Sequence, residues 1–128
     1  MEDTVKSNVL EIARLIEEHR GEEVVALYVG EMASWTDYFI IATVRSSTHR
    51  KGLLRSISEY LDGKHIEPLN RRKHLDDEAG WILIDCGSLV IHLMDSRHRA
   101  FYELEKLWFR SEWIYSSNSS KSSSSSIS

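Results

Sequence analysis

The run WILIDCGSLVIHLM, from Trp81 to Met94, restricts the possible folds of this chain more than any other segment. Two strongly apolar stretches flank Cys86-Gly87-Ser88, and that pattern predicts a tight hairpin. Hydrophobicity is nearly unbroken in both arms. Such strands are expected in the middle of a sheet, covered on both faces. A sheet of this kind needs amphipathic helices to cover it.

The remaining sequence supplies them. Val5, Val9, Ile12, Leu15 and Ile16 recur at helical spacing, with Asp3 or Thr4 able to cap, so a helix is expected over Thr4 to His19, stopping at Gly21. Val24 to Val29 reads as a short buried strand. The loop GEMASWTD leads to a second one, Tyr38 to Val44, and so short a connection favours antiparallel pairing. Ser46, Ser47 and Thr48 offer capping hydroxyls to a helix with Leu53, Leu54, Ile57, Tyr60 and Leu61 on its apolar face and Gly63 as its stop. Lys64 to Gly80 is polar and irregular, holding the only proline, Pro68, and a basic cluster, Arg71, Arg72, Lys73 and His74; it leaves room for a further strand near Ile66. Asp95 or Ser96 caps a last helix, expected to reach Trp108.

The order helix, strand, strand, helix, strand, strand, helix combines hairpins with a helical crossover. It predicts an α/β fold: a single domain over residues 1–115 built on a mixed β-sheet with flanking helices. From Ser116 the composition collapses to serine, and residues 116–128 are expected to form a disordered tail, having too little apolar surface to offset the entropy of ordering.

Charge and cysteine usage narrow the function. A formal net charge of -4 argues against neutralising nucleic-acid phosphates as the main activity. The single cysteine, Cys86, rules out an internal disulfide and CxxC metal or redox sites. The N-terminus lacks the pattern of a signal peptide, and no segment approaches the ~20 apolar residues of a membrane span. A cytoplasmic protein without membrane attachment is expected.

Catalytic patterns are weak. The chain has no P-loop, GxGxxG, GxSxG or HExxH motif. Cys86 has His92 and His98 nearby in sequence, but it occupies a turn, and neither histidine has an evident orienting partner. The six histidines are scattered without metal-ligand spacing. Asp76, Asp77 and Glu78 are consecutive in a loop, where their carboxylates diverge, and no Asp-x-Asp follows the Gly87-Ser88 turn. No cofactor, metal or catalytic residue is expected. Asp85 and His92, across the hairpin, are expected to share a hydrogen bond. The last helix is less ordinary: Leu104 and one or two rings suffice for its core face, yet Phe101, Tyr102, Trp108 and Phe109 cluster at it among Glu103, Glu105 and Lys106, with Trp113 following. Rings left partly exposed beside charges mark a protein-binding surface.

SWTDYFIIAT with SSTHR, then WILIDCGSLVIHLM and RAFYELEKLW, closely resembles the ribosomal silencing factor family, also called RsfS or Iojap-like, over Val5 to Trp108. The resemblance implies a non-enzymatic translation repressor that binds large-subunit ribosomal protein fourteen. It would block joining of the two ribosomal subunits, chiefly under nutrient limitation. It also implies a fold related to nucleotidyltransferases without their catalytic carboxylates, and homodimers when free. A nucleotide-binding or nucleotidyltransferase-like enzyme on the related fold is the alternative.

Positions matching the family pattern are Ser34, Asp37, Ser47, His49, Trp81, Asp85, Gly87, His92, Met94, Arg99, Tyr102, Leu104, Glu105, Leu107 and Trp108. Trp81, Cys86, Tyr102, Glu103, Glu105 and Trp108 are the expected partner-binding residues, the two glutamates suiting a basic ribosomal protein. Asp37, His49, Asp85, His92 and Arg99 are expected to support them. Two departures stand out. The family often has Thr-Gly after the second strand, where this chain has Thr43-Val44, and Glu-Gly where it has Arg71 to His74, a basic loop that shifts the expectation there toward ribosomal RNA.

Overall fold

The computed structural model describes residues 2–31, 33–69, 80–102 and 112–117. In chain order the elements are α1 (Glu2–Glu18), β1 (Glu22–Tyr28), β2 (Tyr38–Thr43), α2 (Ser47–Gly63), β3 (Trp81–Asp85), β4 (Leu89–Met94), α3 (Ser96–Tyr102) and β5 (Glu112–Ser116). The strands form one five-stranded mixed sheet in the order β3-β4-β2-β1-β5.

Local chemistry explains the boundaries. Gly21 follows α1 because the chain turns back tightly there: its N–H bonds to the Ile16 carbonyl at 2.8 Å. A Cβ at Gly21 would lie 2.4 Å from the Ile16 side chain. The Ser46 hydroxyl caps α2 by accepting from His49 N–H at 3.0 Å. Val44 is buried rather than turned; its N–H extends the β2–β4 ladder to the Met94 carbonyl at 2.8 Å, and its own carbonyl accepts from Arg50 at 2.9 Å.

The sheet is packed on both faces. On one, α1 and α2 lay Val9, Ile12, Ile16, Leu53, Ile57 and Leu61 over Ile40, Ile82, Ile84 and Ile91, all essentially inaccessible. Each such aliphatic side chain contributes roughly 1.5–3 kcal/mol on burial. On the other face Leu27, Phe39, Ile41, Val90 and Met94 form a second cluster, with Trp81 and Leu83 partly covered beside it. α3 stands on this second face, where its Arg99 reaches the Thr43 hydroxyl.

β1 and β2 pair antiparallel, as the short loop requires, and β2 runs parallel to β4. The chain leaves β2 through α2, passes over one position to lay down β3, and returns through the hairpin to insert β4 between them. One expectation is thereby corrected. β4 is fully buried, but among the described residues β3 lies at the edge of the sheet with alternating burial, because β4 takes the central place beside β2. Its apolar outward residues pack onto the second face.

Ile66 starts no strand. Its N–H closes a turn onto the Leu61 carbonyl at 2.8 Å, and the segment touches the sheet edge where Leu69 N–H meets the Asp85 carbonyl at 2.7 Å. β5, absent from the sequence expectation, pairs antiparallel with β1. Ser116 is its last residue, and Ser117 closes the ladder on Val24 with its hydroxyl and its N–H at 2.9 and 2.8 Å. The rest of the expected tail, 118–128, lies outside the described residues, as do 103–111 and the basic loop Arg71 to His74.

Candidate functional site

Trp81 begins β3 opposite Met94, and Leu83 opposes His92, so these side chains share the second face. The approach to Trp81 depends on Gly80. That residue has φ +100°, and a Cβ there would lie 2.1 Å from an Asp95 carboxylate oxygen. The Asp95 N–H in turn bonds to the Gly80 carbonyl at 2.7 Å. Asp95 also caps α3, accepting from the His98 N–H at 2.8 Å and meeting the His98 ring at 2.9 Å. Burial works against this carboxylate's charge, yet the His98 contacts and the nearby Arg50 hold its pKa below the ordinary value.

From this corner a row of rings crosses the sheet. His98 and Trp81 lie 6.1 Å apart, Trp81 and His92 5.9 Å, His92 and Phe39 5.1 Å, and Phe39 and Trp35 5.6 Å between centroids. The middle of the row, Phe39 and His92, is buried; Trp35 at its far end is 58% exposed. The Trp81 indole N–H donates to His92 Nδ1 at 3.3 Å. Burial pushes the His92 pKa down to about 4, so its ring is neutral at physiological pH.

The expected Asp85–His92 bond does not form. Asp85 pairs with Val90, and its carboxylate accepts from Gly87 N–H at 2.9 Å inside the hairpin turn, while His92 is taken by Trp81. Gly87 adopts φ +84°, a conformation that favours glycine at this turn. Cys86 lies in the same turn, half-buried, with its thiol pushed up to about 11 by burial and by the Asp85 charge. Its low thiolate content does not suit a nucleophile.

The other expected supporting residues divide by how they act. The Arg99 guanidinium donates to the Glu23 carbonyl at 2.6 Å and to the Thr43 hydroxyl at 3.1 Å, tying α3 to the start of β1 and the end of β2. Glu23 lies in an irregular stretch of β1, at positive φ, and Arg99 takes up its carbonyl. The His49 ring reaches the His19 carbonyl at 2.5 Å and joins the two long helices. Asp37 acts through its backbone, accepting from Val29 N–H at 2.7 Å and donating to the Ser88 carbonyl at 3.1 Å, while its side chain is exposed.

Trp81 and Cys86 stand at opposite ends of β3, about 16 Å apart at 3.3 Å per residue. They can belong to one surface only if it runs the length of the edge strand. Tyr102 is the last described residue of α3, and Glu103, Glu105 and Trp108 lie outside the described residues. Sequence reasoning missed Trp35 and Phe39; the usable signal was an exposed-type loop carrying a tryptophan directly before a buried strand. Asp85 and Asp95 lie at opposite ends of the hairpin and form no carboxylate pair. Among the described residues no group of three His, Cys, Asp or Glu side chains could hold a metal, and no helix is long and apolar enough to cross a membrane.

Comparison with known proteins adds an independent line. Residues 2–127 match the family model described as ribosomal silencing factor during starvation, RsfS. The ribosomal silencing factor RsfS of Treponema pallidum is 32% identical over 97 residues, covering 76% of this chain and 86% of that protein. Its counterpart in Bacillus subtilis is 31% identical over 104 residues, covering 80% of this chain and 86% of that protein. A crystal structure from Bacillus halodurans superposes with a TM-score of 0.67 at 27% identity, covering 85% of this chain and 98% of the other.

Proposed function

The chain belongs to the ribosomal silencing factor (RsfS, Iojap-like) family, and on that premise we propose that it represses translation by binding large-subunit ribosomal protein fourteen and blocking the joining of the small subunit. The observation that carries this reading is the family match along nearly the whole chain, residues 2–127. The surface chemistry agrees with it. A row of rings along the second face includes partly covered Trp81 and exposed Trp35, on a framework held by Asp95, Arg99 and the Gly80 contact. Such a rigid face contributes most of its binding energy through a few anchored aromatics.

Repression of this kind needs occupancy rather than chemistry. An interface of about 1,000 Å² or more on the side of the large subunit that meets the small one excludes the latter sterically. Trp81, Cys86 and Tyr102, with Glu103, Glu105 and Trp108, make up the proposed docking residues, and the acidic members complement a basic ribosomal protein. The same reading includes a cytoplasmic location, contact of the Arg71 to His74 loop with neighbouring ribosomal RNA, a homodimer when free, and a Ser-rich tail outside the domain.

Sucrose-gradient sedimentation tests the proposal. Separated subunits are mixed with saturating protein and then returned to conditions that favour association. The protein is expected to travel with the large subunit and to deplete joined particles. Joined particles at their usual level under saturation would overturn the reading.

A further inference from the structure

The loop between β1 and β2 carries a feature that the docking residues above leave out. Trp35 is 58% exposed, yet its ring is fixed against buried Phe39 at 5.6 Å. The backbone around it is pinned at several points. Ala33 N–H bonds to the Val29 carbonyl at 2.8 Å, Val29 N–H to the Asp37 carbonyl at 2.7 Å, and both Asp37 and Tyr38 N–H groups point to the Ser88 carbonyl at 3.1 Å. An exposed indole held this firmly loses little conformational entropy on binding.

Its neighbours along the chain carry charge of one sign only. Residues 21–44 contain no lysine, arginine or histidine, while Glu31 and Asp37 stand exposed on the same loop as Trp35. Among the described residues neither carboxylate has a cationic partner. The Thr36 hydroxyl, next to Trp35, is buried without a hydrogen-bond partner among them.

We propose that Trp35, with Glu31 and Asp37 exposed on the same loop, is a docking site for an arginine side chain on a basic protein surface. A guanidinium stacks flat on an indole face and still presents its N–H edge to carboxylates, which an ammonium does less well. The same carboxylates repel phosphate, so the charge pattern selects protein over RNA. Identifying that protein with the ribosomal partner rests on the reading above. The loop bonds to Ser88, beside Cys86, and so widens the proposed interface at the Cys86 end of β3.

Two measurements test this and separate it from the ribosomal reading. In the first, hexa-arginine amide is titrated into the full chain while the indole N–H resonances of its four tryptophans are followed. The Trp35 resonance is expected to move most, hexalysine to move it less, and Glu31→Gln with Asp37→Gln to suppress the movement. In the second, Trp35→Ala is expected to weaken binding to large subunits about tenfold, as loss of an interface anchor does, with unchanged thermal unfolding and partial recovery in Trp35→Phe. An unmoved Trp35 resonance, or unaltered subunit affinity in Trp35→Ala where the wild type binds, overturns the proposal. A single-stranded RNA that moves the resonance in place of the peptide overturns the choice of protein. If the peptide acts at Trp35 but the wild type ignores large subunits, the ribosomal reading fails and the arginine site stands.

Discussion

The indole N–H of Trp81 donates to Nδ1 of His92, and this bond fixes the tautomer of a buried histidine. Nδ1 must keep its lone pair, so the ring proton sits on Nε2, which is buried with no hydrogen-bond partner among the described residues. Adding a second proton would charge the buried ring and remove the acceptor that Trp81 uses.

Stability should therefore fall in mild acid. The folded pKa of His92, about 4, lies below its ordinary value of 6.5, so the unfolded chain binds the proton first as pH drops. The loss begins near pH 6.5 and is complete near pH 4; by pH 5 it amounts to about 2 kcal/mol. Urea unfolding at pH 7 and pH 5 measures it. His92→Gln, which retains an acceptor for Trp81 without the titration, should be less stable at pH 7 yet show a smaller drop between the two. Equal drops in both proteins would assign the acid sensitivity to other groups.

Trp81 allows a finer separation of folding from docking. Trp81→Phe keeps a ring at the start of β3 but leaves His92 without its donor, and should cost about 1 kcal/mol of stability. Trp81→Ala should weaken large-subunit binding tenfold or more, a greater effect than on folding if the residue is an interface anchor. Melting curves set beside subunit cosedimentation decide the matter. Losses in proportion would return Trp81 to the core.

Much of this was legible in the sequence because local signals agreed with the tertiary outcome. The Ser46 cap, the β1–β2 pairing and the hairpin at Gly87 follow from nearby residues alone. The failures share a cause. Whether β3 is central or at the rim depends on β4 inserting beside β2, and the partner of His92 depends on a register that sets it against Leu83, not Asp85. β5 was hidden because EWIYS adjoins the serine tail, and it becomes a strand only through β1, far away in sequence. Trp35 gave no periodic signal, since its role comes from Phe39 beneath it.

Cys86 should be a sluggish thiol. With its pKa pushed up to about 11 from an ordinary 9, the thiolate is about 100-fold scarcer at neutral pH than in an unperturbed cysteine. Alkylation by iodoacetamide at pH 7.5 should be slowed by roughly that factor relative to the urea-unfolded chain. A folded-state rate equal to the unfolded one would show the turn to be open. Asp85→Asn removes the neighbouring charge and should raise the rate only modestly, because burial is the larger cause.

Arg99 ties α3 to the sheet through two hydrogen bonds. Its guanidinium binds the Glu23 carbonyl in the irregular part of β1 and the Thr43 hydroxyl, and it is only 7% exposed. Arg99→Met preserves much of the side-chain packing but strands both oxygens in a site where each unsatisfied polar group costs about 1–3 kcal/mol. Thr43→Val removes only one of them. Chemical denaturation should therefore rank Arg99→Met well below Thr43→Val in stability. Because the Arg99 bonds hold α3, and with it His98, against Trp81, Arg99→Met should also loosen the indole resonance of Trp81 while leaving that of Trp113 on β5 unchanged. If both tryptophans respond alike, the variant has loosened the whole sheet, and Arg99 is no specific brace for the docking face.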